Sequence, residues 1–120
     1  MPKILLVEDD EISSLVLSSI LEDGGYEVRK AADFAAAIAS GTSEPPQLLI
    51  TDWKLDGIHT GKDVAEALSQ SNPSLKVIFI SGRERDDIVA ETQNLNVVAV
   101  ISKPCDFDEV LAVSQKHAPT

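Results

Sequence analysis

Cysteine, aromatic residues, basic charge and long apolar runs are all scarce in these 120 residues, and each scarcity excludes something. One cysteine, Cys105, allows no internal disulfide, which fits a reducing compartment such as the cytoplasm. Aromatics make up 4% of the chain, so the core that its 43% hydrophobic residues can build is aliphatic. Ten basic residues face twenty acidic ones, and the formal charge of -10 argues against direct nucleic-acid binding through phosphate neutralisation. No apolar run approaches the roughly 18 residues that cross a bilayer, so no membrane insertion is expected. The first apolar run begins at Ile4, which leaves no room ahead of it for a signal peptide. The length suits one domain over 1–120, with no second domain expected in this chain.

What is present is an alternation of short apolar runs and helical patterns. Strands are predicted at 3–7, 26–32, 48–51, 76–80 and 97–101, the second made edge-like by Glu27, Arg29 and Lys30. A helix is predicted at 12–22, with Ile12, Leu15, Val16 and Ile20 on its inward face and Gly24-Gly25 ending it. A short helix at 34–39 starts from Asp33 and closes at Gly41, and 42–47, with Pro45 and Pro46, is a loop. Thr60 and Asp63 have capping-box spacing for a helix at 61–70, which Asn72-Pro73 breaks. Asp86 or Asp87 opens a helix running to about Gln93. Asp106 and Glu109 repeat the cap spacing before a helix at 107–116. Five strands alternating with five helices imply an α/β fold, a five-stranded parallel sheet wrapped on both faces.

The chemistry gathers at the strand ends. Ile4-Leu5-Leu6-Val7 empties into Glu8, Asp9 and Asp10. Carboxylates this close repel, and a hard divalent cation relieves the repulsion. An acidic helix start is the other reading of the same three residues. The next ends deliver Asp52, then Ser81-Gly82, then Ser102, Lys103 and Pro104. Ligands of open parallel sheets bind outside the carboxyl ends of the strands, so these groups should converge there. Together they supply a metal site, a nucleophilic oxygen, a hydroxyl and a fixed ammonium, the equipment for phosphoryl transfer to a carboxylate.

With Glu8-Asp9, Asp52, Ser81 and Lys103-Pro104 each at a strand end, essentially the whole chain resembles the receiver domains of bacterial two-component response regulators. The resemblance implies a flavodoxin-like (βα)5 fold with strand order 2-1-3-4-5. It also implies that Asp52 accepts a phosphoryl group from a sensor histidine kinase or a histidine phosphotransfer protein. Glu8, Asp9, Asp52 and the Lys54 backbone carbonyl would hold Mg²⁺, with Mn²⁺ as a substitute, and Glu8 would act mainly through a bound water. Ser81 would donate to a phosphoryl oxygen beside the space left by Gly82. Lys103 would pair with Asp52 and then with phosphate, its bond to Pro104 usually cis in receivers. Such a chain is a signalling module that assists its own phosphorylation, not an enzyme for an external substrate. Asp10 is expected to start the first helix, not to bind metal.

Several positions depart from the family pattern. Many receivers carry an aromatic residue three positions before the lysine, where this chain has Val100. Signalling is then expected to run through the segment from Gly82 to Gln93. The loop Trp53-Lys54-Leu55-Asp56-Gly57 lacks a frequent proline, which should alter its stiffness. Lys54 and Arg83 flank the approach of hydrolytic water in receivers and are expected to tune the dephosphorylation rate. Cys105 reads as a small packing residue, and His59, in a glycine-flanked loop without a partner histidine, as a surface residue.

Other classes are weaker. A receiver-like scaffold acting independently of phosphorylation draws support from Val100 alone. A flavin carrier would need a phosphate loop where Glu8-Asp9-Asp10-Glu11 stands. An Asp-nucleophile phosphatase would usually need a second Asp at the position of Lys54.

Overall fold

Each apolar run becomes a strand, and the computed structural model, which describes residues 1–120, pairs them into one parallel sheet. In chain order the elements are β1 (Lys3–Val7), α1 (Glu11–Asp23), β2 (Glu27–Ala31), α2 (Phe34–Ser43), β3 (Leu48–Asp52), α3 (Gly61–Ser71), β4 (Lys76–Ser81), α4 (Arg85–Glu91), β5 (Val97–Ser102) and α5 (Phe107–His117). The strands lie in the order β2-β1-β3-β4-β5, as expected. The order reverses between β1 and β3, and a crevice opens above those two strands. Register brings the functional ends level: Val7 lies beside Thr51, Asp52 beside Ile80, and Ser81 beside Ser102.

Strand alternation divides the core into two layers. Leu5, Leu49, Val77 and Phe79 face α2 and α3, meeting Ala37, Val64, Ala65 and Leu68. Ile4, Leu6, Leu48, Ile50 and Ile78 face the other way, toward Leu17 and Leu21 of α1 and Val110 of α5. Every residue of β3 is buried, so the strand that carries Asp52 is held from both sides. Burying each such aliphatic side chain contributes about 1.5–3 kcal/mol, which fixes the strand ends firmly.

The sheet's two edges differ. On β2, Glu27, Arg29 and Lys30 are exposed, and Arg29 pairs with Glu44 at 2.7 Å. On β5, Val97, Val98, Ala99 and Val100 are half-buried and no residue is charged.

Four local expectations are corrected. The inward face of α1 is Ser14, Leu17, Ser18 and Leu21, not Ile12, Leu15, Val16 and Ile20. Ile12, Leu15 and Val16 are 75%, 58% and 42% exposed. The two serines are small enough for α1 to lie close to its neighbours, and the Ser18 hydroxyl donates to the Leu15 carbonyl at 3.0 Å. Helix α2 runs past 39 to Ser43, with Gly41 inside it; a Cβ there would meet Leu68 at 2.7 Å, so the glycine serves the α2–α3 contact and does not end the helix. Helix α4 starts earlier than Asp86 and stops at Glu91; its cap position is Glu84, which makes no capping bond, and Asp86 and Asp87 fall in its first turn. The Asp106 carboxylate caps α5 by accepting the Asp108 N–H at 2.9 Å, while the Glu109 N–H donates to the Asp106 backbone carbonyl at 3.0 Å and not to its side chain, so no capping box forms. The Thr60–Asp63 capping box forms as expected. Tyr26 precedes β2, its ring buried and its hydroxyl donating to the Ala118 carbonyl at the end of α5.

Candidate functional site

Three carboxylates meet above the β1–β3 crevice. Glu8 and Asp9 follow the last residue of β1, Asp52 is the last residue of β3, and one oxygen from each lies within 4.8 Å of the others. Asp52 is 2% exposed. Its neighbours hold it by backbone bonds: the Trp53 N–H donates to the Ile80 carbonyl at 3.0 Å, and the Gly61 N–H donates to the Trp53 carbonyl at 2.7 Å. Gly61 permits that approach, because a Cβ there would lie 2.3 Å from the Asp52 carbonyl oxygen.

Electrostatics mark the cluster as short of positive charge. Burial raises the Glu8 carboxyl from 4.5 to about 7, and the adjacent Asp52 carboxylate adds to the rise. Asp9 is also raised, by burial and then by Glu8. Lys103, at the end of β5, brings its ammonium 3.2 Å from Asp52 Oδ1. Burial opposes its charge, but Asp52, Glu8 and Asp9 raise its pKa overall. The distance is that of an ion pair, yet Oδ1 has no partner with hydrogen-bond geometry. A buried oxygen that makes no hydrogen bond, beside two further carboxylates, belongs to a donor set of hard oxygens, and such a set fits Mg²⁺ or Mn²⁺.

Asp10 stands apart. Its carboxylate accepts from the Ser13 N–H at 3.0 Å and from the Ser13 hydroxyl, which lowers its pKa and commits it to the start of α1. The Lys103 N–H donates to the Ser81 carbonyl at 2.8 Å, tying the last two strand ends together, and the Lys103-Pro104 bond is cis. Ser81 is buried at the end of β4. Ser81, Gly82, Lys103, Lys54 and Arg83 line one cavity of about 320 Å³, floored by Ile80 and walled by Trp53. On the other side, Glu8, Asp9 and Lys103 border a cleft of about 620 Å³ that reaches Cys105 and Phe107.

The remaining singled-out residues fall outside the cluster. Val100 lies on β5 opposite Phe79, packed against the core layer of α2 and α3. His59 is half-exposed; its ring stacks on Phe34 at 4.0 Å and its Nδ1 lies 3.3 Å from Asp56. Three backbone N–H groups, those of Phe34, Ile58 and His59, donate to the Asp56 carboxylate. These bonds, the one from His59 foremost, lower it to about 2. Cys105 is partly buried and its thiol is raised by burial.

One arrangement had no signal in the sequence. Arg83 makes a two-pronged ion pair with Glu91, both contacts at 3.0 Å, and its guanidinium sits 5.2 Å over the Trp53 ring. The pair spans eight positions, beyond the three- or four-residue spacing that helix patterns reveal. The Arg83 N–H also donates to the Ser81 hydroxyl at 2.9 Å.

Comparison with known proteins gives a consistent picture. The family model described as response regulator receiver domain matches residues 4–115. The chain is 26% identical over 117 residues to sporulation initiation phosphotransferase F of Bacillus subtilis (strain 168), covering 98% of this chain and 94% of that protein. It is 33% identical over 119 residues to response regulator receiver protein CpdR of Brucella abortus (strain 2308), covering 97% and 96%. Other curated relatives are longer, and the chain spans 60% of one and 26% of another. Among solved structures, a response regulator receiver domain protein (CheY-like) from Methanospirillum hungatei JF-1 superposes with a TM-score of 0.87 at 28% identity, covering 97% of this chain and 92% of that one.

Proposed function

The chain belongs to the response regulator receiver family, and from that premise we propose that it is the phosphoacceptor of a two-component phosphorelay, modified at Asp52. The observation that carries this reading is a buried carboxylate whose Oδ1 has an ion-pair neighbour but no hydrogen bond, met by two further carboxylates and that one ammonium at the carboxyl end of the sheet. An Asp52 carboxylate oxygen attacks the phosphorus of a phosphohistidine. The O–P bond forms as the donor's P–N bond breaks, and the electron pair leaves with the imidazole. Lys103 passes from Asp52 to the phosphoryl oxygens, and the Ser81 hydroxyl donates to one of them. Glu8, Asp9, Asp52 and the Lys54 carbonyl would hold Mg²⁺, or Mn²⁺ in its place, which when bound supplies positive charge against the phosphoryl group. Gly82 leaves the donor room, since a Cβ there would meet nothing within 4 Å.

The donor is a sensor histidine kinase or a histidine phosphotransfer protein, and the consequence is altered binding of a protein target. The chain assists its own phosphorylation and dephosphorylation and turns over no external substrate. No helix is long and apolar enough to cross a membrane, and we assign the domain to the cytoplasm with its donor. A phosphorylation-independent scaffold is the second reading, favoured by Val100 where many receivers have an aromatic residue. Incubation with acetyl phosphate, with and without Mg²⁺, beside Asp52→Asn, followed by intact mass, separates the two. The phosphoacceptor reading expects one phosphoryl adduct that needs both Mg²⁺ and Asp52. No adduct, under conditions that label a control receiver, favours the scaffold.

A further inference from the structure

With valine at position 100, this chain lacks the aromatic side chain whose rotation would report on Ser81, yet Ser81 is wired to something else. Its hydroxyl accepts the Arg83 N–H at 2.9 Å. The Arg83 side chain then reaches across the length of α4 to Glu91, gripping both carboxylate oxygens at 3.0 Å while lying on Trp53. Helix α4 is poorly secured otherwise. It has seven residues, one buried side chain (Ile88) and no side-chain cap. A helix this short does not persist on its own hydrogen bonds and depends on its tertiary ties.

We propose that the Arg83–Glu91 clasp is the switch by which phosphorylation of Asp52 is passed to α4: the phosphoryl group draws Arg83 away from Glu91, and α4 loosens. The inference rests on Asp52 being the phosphoacceptor. Arg83 lines the same cavity as Ser81 and Lys103, the two groups that serve the phosphoryl oxygens. The phosphoryl group carries about two negative charges on three strong acceptor oxygens, where the Asp52 carboxylate carried one. A guanidinium pairs with it bidentately, as it does with a carboxylate, so Glu91 meets a more highly charged competitor for the same fork. Recruitment of the Ser81 hydroxyl to the phosphoryl group also disturbs the bond that seats the Arg83 backbone. Once released, Glu91 leaves an unpaired negative charge at the C-terminal end of α4, where the helix dipole disfavours it. Trp53, the only tryptophan of the chain, loses the cation over its face and reports the event.

The test follows amide hydrogen exchange across 85–91 in excess acetyl phosphate and Mg²⁺, with intact mass measured on the same sample. In the wild type, exchange there should quicken about two- to fivefold once the adduct forms, the range set by an exposed ion pair. Glu91→Gln, which leaves the Asp52 cluster untouched, should form the same adduct. It should show the faster exchange without phosphorylation and no further rise with it. An adduct with unchanged exchange in the wild type, or a full wild-type response in Glu91→Gln, overturns the clasp alone. Absence of the adduct in the wild type overturns the phosphoacceptor reading and the clasp with it.

Discussion

Replacing Gly61 with alanine adds one methyl group at the tightest point of the site. The new Cβ would stand 2.3 Å from the Asp52 carbonyl oxygen and 2.9 Å from the Thr51 side chain. Both obstacles belong to a fully buried strand, so the first turn of α3 must move instead. Forced overpacking of this kind costs about 1–3 kcal/mol. The move also strains or breaks the 2.7 Å bond from the Gly61 N–H to the Trp53 carbonyl, a further loss of about 1 kcal/mol. Alanine returns about 0.4–1 kcal/mol by restricting the unfolded chain. The balance is a destabilisation of about 1–3 kcal/mol, or about 4 °C in Tm per kcal/mol for a chain of this length. Thermal unfolding followed by far-UV circular dichroism should therefore show Gly61→Ala melting about 4–12 °C below the wild type. Gly82→Ala is the control, because its Cβ meets nothing within 4 Å, and its Tm should stay within about 2 °C. A Gly61→Ala protein as stable as the wild type would refute the claim that close backbone approach holds the Asp52 end of β3.

Other outcomes follow from the same geometry. At ten times its Kd, Mg²⁺ should raise the Tm by about 6 °C through mass action, and Asp9→Asn should remove most of that shift in a thermal titration. Glu8 is raised from 4.5 to about 7 in the folded state, so the folded protein holds that proton more tightly than the unfolded chain. Its stabilising effect is therefore complete below about 4.5 and lost as pH rises through about 7. In EDTA, urea unfolding should show stability falling over that window, and Glu8→Gln should flatten the fall. Tyr26→Phe strands the Ala118 carbonyl in a buried setting and should cost about 1–2 kcal/mol in the same assay, with m unchanged.

The sequence announces this fold clearly because four of its five strands are continuous apolar runs, as parallel strands covered by helices require, while β2 is marked as an edge by its charges. Their ends are equally legible, since a charged or hydroxyl residue after such a run has one place to go. The inward face of α1 was not legible. Glu11–Asp23 offers two stripes, and the richer in aliphatic residues is the outer one; the inner stripe is built around Ser14 and Ser18, whose small size serves close packing. Gly41 misled for a related reason, because a glycine that makes room for Leu68 reads like a glycine that ends a helix. The Arg83–Glu91 pair left no trace because a contact across eight residues follows no periodicity.

The bare edge of the sheet gives Lys103 and Pro104 a second task. Val97 to Ile101 is a short, uncharged, β-prone segment on an unpaired edge, the composition that lets one chain template another into fibrils. Natural sequences hold such segments in check with a charge or a proline at their ends. Here that guard is the pair whose lysine reaches Asp52 at 3.2 Å. A substitution there acts on colloidal behaviour as well as chemistry, so an inactive Lys103 variant must be shown to be monodisperse before its silence is attributed to the lost ammonium.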